Sequence, residues 1–191
     1  MISTATTTFA QAVARELGWH LVPEGIPGEL YKSTRERAAD ILRQHAQTKR
    51  AAQSAYDDCV LDRTAVDLAM LILNQFELLN LPATQRAFAE CQAMARELDL
   101  LFLLPEDAIP FDSAANEAGL LRQYNPLMRT RSSILLNGLA ERLMSREALV
   151  RVPVTVTDID ERVAFVISKV WRITFPSSLH KTTSPKGTFP A

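Results

Sequence analysis

Between Ala65 and Leu79 the chain is apolar nearly all the way round a helix. Leu68, Ala69, Met70, Leu71, Ile72 and Leu73 are consecutive, and Phe76, Leu78 and Leu79 follow. A helix of this kind has to be covered on several sides. It is too short to cross a bilayer, which takes about 20 apolar residues, so protein has to cover it. Thr64-x-x-Asp67 has the spacing of a capping box, with Asp in place of the usual Glu. Asn80-Leu81-Pro82 then reads as a turn. Asn tolerates the left-handed conformation that closes helices, and Pro82 suits the first turn of the next one. That second helix carries Thr84, Ala87, Phe88, Cys91, Met94, Ala95 and Leu98. The spacing is a single stripe of heptad type.

The flanks follow the same alphabet. Phe9, Val13 and Leu17 predict a short helix ending at Gly18, a good closing residue. Gly25 to about Gln53 predicts a second helix with a narrow apolar stripe: Ile26, Leu30, Ala38, Ile41 and Leu42. Its basic residues, Arg35, Arg37, Arg43, Lys49 and Arg50, are interrupted by Glu29, Glu36 and Asp40 and read as a solvated face. Tyr56-Asp57-Asp58 breaks the pattern as a linker. Asp99 to Asp112 is apolar but carries Pro105 and Pro110, which predicts an extended lid. Ser113 to Gln123 predicts a helix that Asn125-Pro126 ends. Ser132 or Ser133 caps another, with Leu135, Leu136, Leu139, Ala140 and Leu143 on one face. Val150, Val152, Val154 and Val156 alternate as in a strand, which Pro153 confines to an edge. Arg162 to Phe175 fits either a hairpin or a helix capped at Thr157 or Asp158. Residues 176–191 lack periodicity and are expected to be disordered.

Bulk composition narrows the chemistry. The 191 residues are 47% hydrophobic and 23% charged, with a formal net charge of −1. A near-neutral balance offers no field for nucleic acid or an anionic membrane. Cys59 and Cys91 lack metal-site spacing and are expected as free thiols. The first residues lack the apolar core of a secretory signal. Thr157-Asp158-Ile159-Asp160-Glu161 has a metal-carboxylate reading and a cap reading, and the cap is favoured. The three histidines are isolated, and no phosphate loop or nucleophile motif is present. The expectation is a protein without catalytic residues, cofactor or metal.

Leu71-Ile72, Phe76, Asn80-Leu81, Thr84 and Phe88 together resemble a LisH motif. Gln75 stands where that motif carries an aromatic residue, and Asn80 where it carries Gly. Gly25-Ile26 and Arg37-Ala38-Ala39-x-Ile41-Leu42 resemble the segment before LisH in the family of FOP, the oral-facial-digital syndrome protein and plant Tonneau. Ile109-Pro110-Phe111-Asp112 and Ile134-Leu135-Leu136-x-Gly138-Leu139-x-x-Arg142-Leu143 resemble segments of the FOP-related centrosomal protein. The resemblance spans about residues 9 to 145. It implies a mainly α fold in which a LisH two-helix hairpin forms a homodimeric helical bundle. The implied interface is Leu68, Leu71, Ile72, Phe76, Leu79, Leu81, Thr84, Phe88 and Cys91, around the turn Asn80 and Pro82. The lid from Leu100 to Phe111 would cap it.

The expected organisation is a flexible arm over 1–8, helices over 9–53, the LisH motif and lid over 61–112, and helices over 113–145. An extension of β or helical structure covers 146–175. The implied function is a non-catalytic homodimeric adaptor of the centrosome, basal body or microtubule cytoskeleton. Its partners would be itself and other cytoskeletal proteins, without nucleic acid or membrane insertion. The basic helix 26–53 and the tail are its candidate docking surfaces. A monomeric helical module using the same residues as its core is the alternative. A helix-turn-helix reading, with Pro82 to Leu98 as recognition helix, has only Gln85, Arg86, Gln92 and Arg96 as readers, and Glu90 and Glu97 repel phosphate.

Overall fold

The computed structural model describes residues 4–24, 30, 33–105 and 126–174. The protein is mainly helical. Helices α1 (Thr4–Leu17), α2 (Arg35–Ser54), α3 (Ala65–Asn74), α4 (Pro82–Arg96), α5 (Pro126–Leu143) and α6 (Ile159–Thr174) alternate with short strands. The strands are β1 (His20–Val22), β2 (Cys59–Leu61), β3 (Leu101–Leu103) and β4 (Leu149–Arg151). They pair as two separate parallel ladders, β1 with β2 and β3 with β4. A parallel pair needs a crossover. Here α2 crosses between β1 and β2, and α5 lies between β3 and β4.

Helix α3 explains this layout. It buries Val66, Leu68, Ala69, Met70 and Ile72, which cover more than half of its circumference, with Asp67, Leu71 and Asn74 half-buried on the remaining side. Three helices of the same chain cover it: α2, α4 and α5. Residues from all four helices form the larger core, with Leu42, Ile72 and Met94 among its most completely buried side chains. A smaller core joins Val13 of α1 to Val163, Val166 and Val170 of α6. Strand β3 is the wall between the two. Leu101 and Leu103 belong to the larger core, while Leu100 and Phe102 pack on the smaller. The two-residue period of an extended chain produces this division.

Local signals set several boundaries. Thr64 Oγ1 accepts from Val66 N at 3.1 Å, and Thr64 N donates to Asp67 Oδ2 at 2.8 Å; this is the expected capping box. Gly18 adopts a φ of +69°. Its amide donates to Arg15 O, and Trp19 N reaches back to Ala14 O, so the chain leaves α1 through a Schellman turn. Pro82 occupies the first turn of α4. Asp158 Oδ1 accepts from Asp160 N at 2.8 Å and Glu161 N at 3.2 Å. The residues after it form α6, which decides between hairpin and helix.

Elsewhere the structure corrects the pattern. Helix α1 begins at Thr4, inside the expected arm. Helix α2 begins only after Thr34, whose side chain accepts from Arg37 N. Helix α3 stops at Asn74 and tightens into a 3₁₀ turn, Phe76–Leu78. Gln75 N bonds to Ile72 O at the end of α3, and Leu78 N to Gln75 O and Leu81 N to Leu78 O carry the chain on through tight turns. A left-handed closing residue is therefore not needed, and Arg63, not Asn80, is the non-glycine residue with positive φ among the described residues. Helix α5 starts at Pro126, six residues before its expected cap at Ser132. The predicted edge strand is cut to Leu149–Arg151, before Pro153. Part of the expected lid is strand β3. The predicted helix Ser113–Gln123, the remainder of the lid from 106 and the tail 176–191 lie outside the described residues.

Ile72 is fully buried, whereas Phe76 is 64% exposed. Ile72→Ala should therefore cost about 2–5 kcal/mol of stability, and Phe76→Ala below about 1 kcal/mol. Denaturant melts at several protein concentrations measure both; if Ile72 is sealed within one chain, its loss will not depend on concentration.

Candidate functional site

Two places on the chain concentrate polar or exposed groups of unusual character. The first is a buried corner between α2 and the β2–α3 junction. Lys49 is 4% exposed, and its Nζ donates to the Asp62 carbonyl at 2.8 Å. Asp62 is buried beside it. Burial pushes the Lys49 ammonium down to about 8, against the opposing pull of Asp67 and Asp62. His45, on the same helix, is also lowered, by burial and then by the Lys49 charge. Arg63 turns the chain here with a φ of 61°. Its guanidinium meets Glu24 at 2.9 Å, so an ion pair to the end of β1 helps hold a conformation that L-residues pay about 1–2 kcal/mol to adopt. Chemically, this corner ties α2, β1 and α3 together; its amine is sealed from solution.

The second place is the outer end of α3. Phe76 projects from the 3₁₀ turn, and the Arg131 guanidinium stacks 4.0 Å from its ring centroid. Arg131 Nη2 also donates to Leu73 O at 3.3 Å, and Arg35 Nη2 donates to the Glu77 carbonyl. Both arginines thus satisfy carbonyls where α3 runs out, as cations do at helix C-termini. Asn74 Nδ2 to Ser132 Oγ, 3.1 Å, pins α5 alongside. On α5, Leu127 and Ile134 are four residues before and three after Arg131, so the three share a face. Leu127 is 80% and Ile134 67% exposed. Helix α5 is therefore apolar both inward, at Leu139, Ala140 and Leu143, and outward.

The residues of the expected interface separate into three groups. Leu68, Ile72, Thr84 and Cys91 are buried in the core of the single chain. Leu71, Leu79, Leu81 and Phe88 pack half-buried against that core. Phe76 is exposed, as are Asn80 and Pro82 at the turn. The Thr84 hydroxyl is buried without a hydrogen-bond partner. The helix expected to carry a narrow apolar stripe and a solvated basic face buries that stripe and more, while Arg35 and Arg37 stay exposed. Ala38, Ala39, Ile41, Leu42, Ala46 and Lys49 of α2 are buried. Arg50 bridges to Glu90 at 2.7 Å and Glu97 at 3.1 Å on α4, which raises its pKa chiefly through the Glu90 hydrogen bond. The two acidic residues weighed against a recognition-helix reading of α4 are thus partners of α2. Arg43 lies 3.7 Å from Asp40. Arg131, Leu127 and Lys49 escaped the sequence pattern as site residues; only the apolar outward positions of α5 carried a signal. Among the described residues no group of three or more His, Cys, Asp or Glu is placed to hold a metal ion, and no helix is long and apolar enough to cross a membrane.

Both cysteines are free. Burial, then the Glu90 charge, pushes the Cys91 thiol up to about 12; Cys59 is raised less, again mainly by burial. A thiol reagent at pH 8 should label Cys59 in the folded protein and Cys91 only on unfolding, and Cys59→Ser should remove the native-state reaction. For Lys49 the sign is set by its lowered pKa. Between pH 8 and the ordinary 10.5 the unfolded chain holds a proton that the folded chain has released. Stability from this group therefore rises with pH across that window, by on the order of 3 kcal/mol, and below it the full burial cost is present. Lys49→Met should lower the slope of the denaturation midpoint against pH between 8 and 9, below the range where ionisation of Cys91 in the unfolded chain pulls stability the other way; an unchanged slope would show that the ammonium is solvated. Comparison with protein-family models and with curated proteins finds no match for the chain.

Proposed function

We propose that the protein is a non-catalytic helical adaptor, which works by holding a partner protein on the face formed by Phe76, Leu127, Arg131 and Ile134. The exposed Phe76 ring beneath the Arg131 guanidinium carries this reading. Soluble chains tolerate scattered apolar residues, but an aromatic ring and two large aliphatic side chains grouped about a cation are the composition of a binding surface. Arg131 uses one donor on Leu73 O and has others to offer. The partner that fits is an amphipathic helix bearing a carboxylate between apolar side chains. The LisH resemblance supplies the cellular setting, the centrosome, basal body or associated microtubules, and it also offers a second copy of the chain as partner.

Light scattering on the full chain separates the partners. Twice the chain mass, reduced to a single mass by Phe76→Asp, supports the homodimer. A single mass supports a different protein. Proximity labelling from tagged chains tests the face itself. Ile134→Asp and Phe76→Ala should keep the helical circular dichroism of the parent yet lose its strongest neighbours. A neighbour set unchanged by both variants would remove this face from the mechanism. A tagged parent that does not concentrate at centrosomes or basal bodies would remove the cytoskeletal setting.

A further inference from the structure

Ala14-Arg15-Glu16-Leu17 closes α1, and Ala95-Arg96-Glu97-Leu98 closes α4. Two residues separate each Leu from a strand, β1 in one case and β3 in the other. A Pro-Glu pair then follows each, Pro23-Glu24 and Pro105-Glu106. Burial repeats with the sequence. Ala10, Val13 and Ala14 are buried in α1, and Cys91, Met94 and Ala95 occupy the same positions of α4. Trp19 and Leu100, each next to its strand, are both half-buried and both pack on the smaller core.

The likeness continues beyond the helices. His20 pairs with Cys59 as Leu101 pairs with Leu149, in parallel and over three residues each. The flanking bonds are the same: His20 N to Asp58 O and Leu101 N to Ala148 O before the ladder, Asp62 N to Val22 O and Val152 N to Leu103 O after it. A capping residue comes next, Thr64 or Asp158, with an acid three residues on, Asp67 or Glu161. Leu68 N bonds to Thr64 O as Arg162 N bonds to Asp158 O. Buried Leu68, Ala69 and Ile72 of α3 then match buried Arg162, Val163 and Val166 of α6. One packing relation repeats: α4 lies on α3, and α1 lies on α6; the broad contacts of α2 with α4 and of α5 with α3 belong to the first unit's helices without an equal counterpart on the second's. The units differ at Val66 and Met70, buried in α3, where α6 carries exposed Asp160 and Ala164, and again where each has its own polar core group. Asp62, beside Lys49, stands where the second unit has Val152, and Arg162, which donates from Nε to Val156 O, stands where the first has Leu68.

We infer that the chain is two copies of one α–β–α–β–α unit, Thr4–Asn74 and Pro82–Thr174, each laying its first helix on the last helix of the other. The surface of α6 that receives α1 and the surface of α3 that receives α4 are then one recognition surface, used twice. Its partner is the first helix of such a unit, an Ala/Val/Met-faced helix ending in Arg-Glu-Leu. This surface is separate from the face around Phe76 and does not depend on its function.

Interchangeability of the two first helices tests the inference in the full chain. Residues 10–22 are replaced by the sequence of 91–103, and in a second protein 91–103 by that of 10–22. The expected result is parental helical circular dichroism and one cooperative thermal transition in at least one of the two. A control graft taken one residue out of register, 92–104 into 10–22, rotates the buried positions away from α6 and should lose the transition. The double variant Ala10→Cys/Val13→Met makes only the buried exchanges and should fold. Loss of the cooperative transition in both in-register grafts, or in that double variant, overturns the inference. So does an out-of-register graft as stable as the in-register one.

Discussion

The whole arrangement depends on the need to cover the broad apolar side of α3. A helix with Val66, Leu68, Ala69, Met70 and Ile72 all buried requires at least three neighbours, and α2, α4 and α5 supply them. The two parallel ladders follow from that requirement. Each is only three residues long, too short to be a core of its own. Each instead returns the chain after a crossover, and the crossovers deliver α2 and α5 to α3. Strand β3 adds a second service by presenting alternate residues to the two cores.

Polar groups are placed to make this packing single-valued. The Lys49 amine on the Asp62 carbonyl and the Arg63–Glu24 pair fix the corner where β2 passes into α3. Arg50 holds α2 to α4 at its solvent edge, through Glu90 and Glu97. Arg131 and Arg35 close the far end of α3 on free carbonyls. In each case a cation that reads as surface charge along the chain is spent on joining two elements. The exception is the outer side of Arg131, where Phe76, Leu127 and Ile134 remain in solvent. The same residues that finish the fold thus frame the face proposed for a partner.

The internal likeness of the two units gives the all-round apolar helix a physical origin. In the first unit α3 is covered by helices α4 and α5 of the second, as well as by its own α2. Cover from a second copy, which the LisH resemblance places in another chain, is on this view already present within one. The sequence pattern missed the likeness because its identical run is four residues long and the rest is matched by burial and hydrogen bonding rather than by residue type.

Local chemistry was legible in the sequence. The Thr64–Asp67 box, Gly18 after α1, Pro82 at the head of α4 and the buried stripe of α4 are all settled by residues within one or two turns of each other, where capping and periodicity act. The mainly helical class was legible for the same reason. What required the tertiary structure was long-range. Three-residue strands leave no period to read, and their parallel partners lie 39 and 48 residues away, at Cys59 for His20 and Leu149 for Leu101. How far the buried side of α2 extends beyond its expected stripe, to Ala39, Ala46 and Lys49, depends on what packs there, and α2 packs on α4. Whether Phe76 is inside or outside depends on where α3 stops, which its 3₁₀ turn and the Arg131 and Arg35 contacts decide. An apolar residue carries the free energy of burial wherever it stands; only the packing of distant elements determines which of them collects it.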